Sequence, residues 1–172
     1  GVRDLSIFYP EQRAGKVAPY PCAVHLVGSA ALKNVMLVNA YRGVLTGSFS
    51  TVMNLCGTTL DSGLTMMKAV AVPRCRNIRL SPRFWSGSGL AGAPSYDRLR
   101  TILAERKACG IQLNRQDAGI FFNIEVDGYH TGLRFMPPHG WTYWHNIIIR
   151  NAAVGIHFTG GSDHRAYMTG CS

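Results

Sequence analysis

The feature that most constrains this chain is an internal repeat in which an asparagine and a glycine lie nine residues apart. Three copies align without gaps: Asn34 with Gly43, Asn123 with Gly132, and Asn146 with Gly155. Each Asn opens a short apolar or β-branched run, and each Gly opens another. Partial copies stand at Asp4, Gly63, Asn77 and Gly110, and Gly110, Gly132 and Gly155 are separated by 22 and 23 residues. A fixed period of this size marks a stack of equivalent units, each two short strands and two turns.

Within the runs, apolar residues alternate with others, as at Ile124 and Val126 and again at Leu133 and Phe135. One face of each strand is therefore buried and the other exposed. Arcs this short leave no room for helical crossovers, so each strand pairs with its counterpart one turn on, at about 4.8 Å. Stacked Asn amides are placed to bridge successive turns, and glycine is expected to supply the positive φ of a sharp arc. Hairpin signals reduce to Asp127-Gly128, which argues against a β-sandwich. The predicted fold is all-β: a right-handed, single-stranded parallel β-helix of about five to six coils with one short lateral α-helix.

Residues 1–172 read as one domain, with a loop insertion over 9–20 and a connector plus helix over 85–109. The stretch from Trp85 to Pro94 is rich in Gly and Ser and reads as a flexible connector. The helix is predicted from Tyr96 to Ala108, with Ser95 as N-cap and Asp97 in the first turn. Arg106 and Lys107 fall in its last turn and Gly110 follows as the C′ residue. Its apolar stripe is Leu99, Ile102 and Leu103, enough to lie against a solenoid wall.

Composition narrows the partners. Lys and Arg total 18 against 9 Asp and Glu, a net charge of +9, and Arg supplies 14 of the 18. Such a balance favours acidic partners. The arginines are spread along the chain, with a cluster only at Arg74, Arg76, Arg79 and Arg83, and no nucleic-acid module is visible, so nucleic acid ranks last. No apolar run is long enough to span a membrane, and no leader peptide is visible. The five cysteines form no C-x-x-C pair and no zinc spacing, and read as buried thiols.

The opening Gly1-Val-Arg-Asp-Leu-Ser-Ile-Phe-Tyr-Pro-Glu-Gln12 resembles the first coil of pectate-lyase-superfamily proteins related to glycoside hydrolase families 28 and 55. The resemblance continues through Asn34–Gly43, Asn54–Leu60, Asn77–Trp85 and the helix leading into Gly110-Ile-Gln-Leu. It implies an extracellular or cell-surface protein that cleaves or binds polysaccharide, and a parent chain of which these residues are an internal, uncapped piece. It calls for no cofactor, although a lyase would add calcium held by carboxylates. A rival is a non-catalytic glycan-binding or tailspike-like β-helix, the latter a trimer.

Glycoside cleavage needs two carboxyl groups about 5 to 9.5 Å apart. Glu125 and Asp127 are an i, i+2 pair, roughly 6.5 to 7 Å apart on one strand face. They are expected to point outward while Ile124 and Val126 point in. A solvated face explains them more readily, since most exposed carboxylates do nothing. Asp117 lies in an arc where the family commonly carries Arg-x-Asp, and loop aspartates often bond their own backbone. Arg134 and His157, equivalent positions two after Gly132 and Gly155, are placed to stack on one outward face and bind an acidic sugar, with His130 nearby. Trp141 and Trp144, with Tyr143 between them, offer rings for sugar stacking, though aromatic residues on strands more often pack. Asp163-His164 with Arg165 is a weak further signal.

Overall fold

The computed structural model describes residues 1–68, 72–138, 140–160 and 165–172. The chain winds as a parallel β-solenoid of about six turns. Its strands are β1 (Val2–Ile7), β2 (Cys22–His25), β3 (Ala31–Thr46), β4 (Thr51–Met66), β5 (Arg74–Leu80), β6 (Cys109–Leu113), β7 (Asp117–Asp127), β8 (Thr131–Phe135), β9 (Trp141–Arg150), β10 (Val154–Phe158) and β11 (Arg165–Cys171). One wall stacks β1, β3, β4, β5, β7, β9 and β11; the other stacks β2, β3, β4, β6, β8 and β10. All of these pairings are parallel.

The repeat asparagines set the geometry. Asn34, Asn54, Asn77, Asn123 and Asn146, with Asp4 before them, all adopt φ between 54° and 56°. Each Asn donates from Nδ2 to the side-chain oxygen one coil earlier, ending on Asp4, at 2.6 to 3.0 Å. Asn is the non-glycine residue best suited to the left-handed region. The positive φ therefore comes from asparagine. Glycine has another task, since Gly43, Gly63, Gly110 and Gly132 are not left-handed. A Cβ on Gly110 would lie 2.9 Å from the Gly132 carbonyl oxygen, and one on Gly132 would lie 2.6 Å from that of Gly155. The glycine column lets successive coils close up.

Alternation around the ladder builds the core. Residues two before each ladder position point inward: Leu32, Val52, Cys75, Phe121 and Trp144. So do residues one after it: Val35, Leu55, Ile78, Ile124 and Ile147. Fully burying an aliphatic side chain of this size contributes about 1.5–3 kcal/mol. Phe121 stacks on Trp144 with centroids 3.8 Å apart.

The insertion into the long coil contains two helices, α1 (Arg83–Ser86) and α2 (Tyr96–Glu105). Ser95 caps α2 by accepting from the Arg98 N–H, and Leu99, Ile102 and Leu103 are buried as the stripe requires. The helix ends at Glu105, short of the expected Ala108, because Gly110 is claimed by the glycine column inside β6. Lys107 takes the left-handed exit instead, at φ 54°. Trp85 departs from the expected flexible connector. It lies in α1, is buried, and its backbone N–H donates to Thr58 Oγ1 at 2.9 Å. The 9–20 segment is also anchored: the Asn39 amide pairs with both Tyr9 N–H and Tyr9 C=O, and Tyr9, Ala14 and Val17 pack on the core.

Two substitutions separate the roles of asparagine. Asn77→Ala loses ladder hydrogen bonds worth about 1 kcal/mol each and forces alanine into a left-handed backbone at a cost of about 1–2 kcal/mol. Asn77→Gly loses only the hydrogen bonds. Urea unfolding should show the glycine variant about 1 kcal/mol more stable than the alanine variant; equal losses would deny the backbone a role.

Candidate functional site

The register assigns the outward residues to columns along the solenoid. One position before the ladder run Arg3, Lys33, Met53, Arg76, Phe122, His145 and Thr169. Three positions before it, Arg74, Ile120, Tyr143 and Tyr167 stand on successive rungs. One end of this wall is basic and the other is aromatic.

The aromatic end is ordered by ring contacts. Tyr143 and Tyr167 stack at 5.3 Å and 15°, and Phe122 and His145 at 4.9 Å and 12°. The Arg76 guanidinium lies over the Phe122 ring at 5.3 Å. His145 Nδ1 is 2.8 Å from Thr169 Oγ1. Beside them Trp141 is 45% exposed, between Asp117 and Arg165 on neighbouring rungs. Asp117 is half-buried and bound by its own turn, with Arg115 at 3.2 Å.

Past the ladder the wall turns into a groove of about 460 Å³, lined by Cys56, Arg79, Glu125 and Ile148 on successive rungs over the ladder amides. A second concavity of about 450 Å³ shares Asn54 and Cys56 and carries the channel towards Asp4. Glu125 faces the groove and pairs with Arg150 at 3.4 Å. Burial pushes the Cys56 thiol up, against the pull of Arg79.

Asp127 does not accompany Glu125 onto the outer face. It is 5% exposed at the end of β7. Its carboxylate accepts from Asn151 Nδ2 at 2.7 Å, Ser81 Oγ at 2.8 Å and Tyr96 OH at 2.9 Å, with Arg83 at 3.7 Å. The Tyr96 ring is flanked by Arg83 and Arg100, at 4.8 and 5.8 Å. This carboxylate ties α1, α2 and the following coil together. Burial pushes its pKa up, but the hydrogen bonds from Asn151, Ser81 and Tyr96 and the charge of Arg83 outweigh that and hold it below the ordinary 3.8. The outward expectation fails at this position because the helices cover the strand end.

The remaining candidates divide. Arg134 and His157 are register partners on β8 and β10, and Arg134 and His130 both reach Thr131 Oγ1, at 3.4 and 3.1 Å. That group lies on the second wall, apart from the aromatic columns. Trp144 is core, 1% exposed, so its ring is out of reach of any ligand. Asp163 and His164 lie outside the described residues. Among the described residues no three His, Cys, Asp or Glu side chains converge as a metal shell. Sequence reasoning missed Tyr167 and Phe122 and named Arg79 only as part of a basic cluster, because their neighbours come from other coils. The burial of Trp144 had a signal, because the aligned position two before the ladder is apolar or Cys in every copy. No family profile, curated protein or solved structure matches this chain.

Asp127 makes acid sensitivity predictable. Its pKa is lower folded than unfolded, so its stabilisation is complete above the ordinary carboxylate range and is lost as pH falls below about 4 towards the folded value. Asp127→Ala leaves buried donors without an acceptor and should cost about 1–3 kcal/mol at neutral pH. Glu125→Gln, on the half-exposed groove wall, should stay within about 0.5 kcal/mol. Urea titrations across acidic pH check both, and an unchanged acid limb in Asp127→Ala removes Asp127 as its source.

Proposed function

We propose that this protein is a carbohydrate-binding β-solenoid that holds extracellular or cell-surface polysaccharide on the wall carrying Trp141, Tyr143 and Tyr167. The observation that carries this reading is the set of exposed rings, 45% to 52% accessible, on two adjacent rungs: Trp141 and Tyr143 on β9 and Tyr167 on β11. Aromatic residues give a large amphipathic contact at low entropic cost, and their N–H and O–H groups suit sugar hydroxyls. Resemblance to the pectate-lyase superfamily supports the same ligand class. A groove follows the same axis, as a linear polymer requires.

Cleavage of the polysaccharide, by hydrolysis or elimination, is the second reading. Glu125 and Arg79, adjacent in the groove, favour it. The pair of carboxyl groups that hydrolysis uses is not supplied by Asp127, whose oxygens are already engaged.

Tryptophan emission gives a site-specific test. Of three tryptophans, Trp85 and Trp144 are buried and only Trp141 is exposed. Titration with soluble polysaccharides should change the emission, and Trp141→Ala should weaken binding about tenfold, as expected for the loss of about 1.4 kcal/mol. A panel of neutral and acidic polysaccharides that neither binds nor is cleaved would sink the proposal. New reducing ends or unsaturated products, abolished by Glu125→Gln, would move it to the second reading.

A further inference from the structure

We propose that one corner of the solenoid, where the second wall turns back into the ladder wall, docks this protein onto a bilayer surface that carries anionic phospholipid. The contact uses none of the rings assigned to glycan.

Three successive loops make this corner, joining β2 to β3, β3 to β4 and β4 to β5. They stack in the register of the coils: Leu26 N–H donates to the Leu45 carbonyl and Met67 N–H to that of Thr46, each at 2.9 Å, and Ser48 Oγ donates to the Lys68 carbonyl at 3.3 Å. The loops carry Val27, Phe49, Met67 and Val72, all exposed. Val27 at 76% and Phe49 at 62% are the two most exposed large apolar side chains among the described residues. Apolar side chains gathered in this way mark an interaction surface, whereas isolated ones need no explanation.

Phe49 adds a second observation. Its backbone is left-handed, at φ 59°, a conformation that glycine or asparagine adopts with far less strain than a bulky residue. The loop is held there by Ser50, which is buried and donates from Oγ to the Gly47 carbonyl at 2.7 Å. With its ring mostly in water, phenylalanine gives the fold little in return for that strain. Strained residues held by well-determined surroundings gather at ligand contacts.

Charge identifies the partner. Lys68 and Arg74 flank the apolar tips, are exposed, and make no ion pair among the described residues. Residues 26–31, 46–51 and 66–74 contain no Asp or Glu, in a chain of net charge +9. Apolar tips bordered by cations match the interface of an anionic bilayer, where the tips enter the acyl boundary and the cations stay with the headgroups. A second copy of this chain would bring like charges together. A stable protein interface engages about 20–30 residues a side, whereas the apolar exposure of these loops is confined to four side chains on a convex edge.

Co-sedimentation of the full chain with vesicles tests the proposal, using phosphatidylcholine alone and phosphatidylcholine mixed equally with phosphatidylserine. The mixed vesicles should bind at least about tenfold more tightly, with an advantage that shrinks as salt is raised. Phe49→Asn should weaken that binding about tenfold while its urea midpoint holds or rises, because asparagine tolerates the left-handed backbone. Lys68→Gln/Arg74→Gln should remove most of the preference for phosphatidylserine, and Leu90→Ser, an exposed apolar site on the α1–α2 insertion, should change nothing. Absence of binding to either vesicle, equal affinity for both, or indifference to the Phe49 change or to the paired cation changes would overturn the proposal. A lowered urea midpoint in Phe49→Asn would overturn it by making the ring structural. A dimer that Phe49→Asn dissociates, without vesicle binding, would overturn it in favour of a second copy.

Discussion

A single column of left-handed asparagines, each donating to the residue one coil earlier, is the contact on which the remainder of the fold depends. The left-handed backbone bends each strand without breaking its pairing, so hydrogen bonding continues on both sides of the bend. The conformational cost, about 1–2 kcal/mol for an ordinary residue, is lower for asparagine and is offset by amide hydrogen bonds of about 1 kcal/mol each. Those bonds run in one direction and polarise one another. They end on Asp4, which in its ionised form can only accept, and at the other end Gly170 occupies the equivalent position at φ 63° without a side chain. The glycine column on the opposite side does complementary work by removing Cβ atoms where carbonyl oxygens of adjacent coils approach.

Once the ladder fixes the register, every outward position becomes part of a column, and the surface inherits the rung spacing. The aromatic wall follows from this. Rings on β7, β9 and β11 align and stack because their strands are in register. The basic rungs continue the same columns towards the first coil.

The two carboxylates of β7 show how local context divides residues of one type. Glu125 and Asp127 are two residues apart, yet one lines an open groove while the other closes a buried network beneath two helices. Asp127 receives three side-chain hydrogen bonds and a nearby guanidinium, enough to keep it ionised despite its burial. Its role is to dock the α1–α2 insertion onto the solenoid, where Arg83 and Arg100 against Tyr96 extend the same junction.

The solenoid itself was legible in the residues, because period, alternation and amide stacking are local properties that every coil repeats. The copies of Asn and Gly, the inward runs after them and the cap and stripe of α2 all required only knowledge of near neighbours in the chain. The tasks of the two repeat residues were not separable in the same way. Only the stacked coils show that asparagine carries the left-handed backbone and glycine gives clearance, since that clearance is measured to a carbonyl one coil away. The burial of Asp127 and the anchoring of Trp85 depend on where an insertion folds back, which strand alternation cannot express. Tyr167 and Phe122 became partners of Tyr143 and His145 only when β7, β9 and β11 came into register. Sequence alone determined the repeating unit because its energetics close within a coil and its neighbour; tertiary structure decided the site, because a functional surface is made of residues more than 20 positions apart.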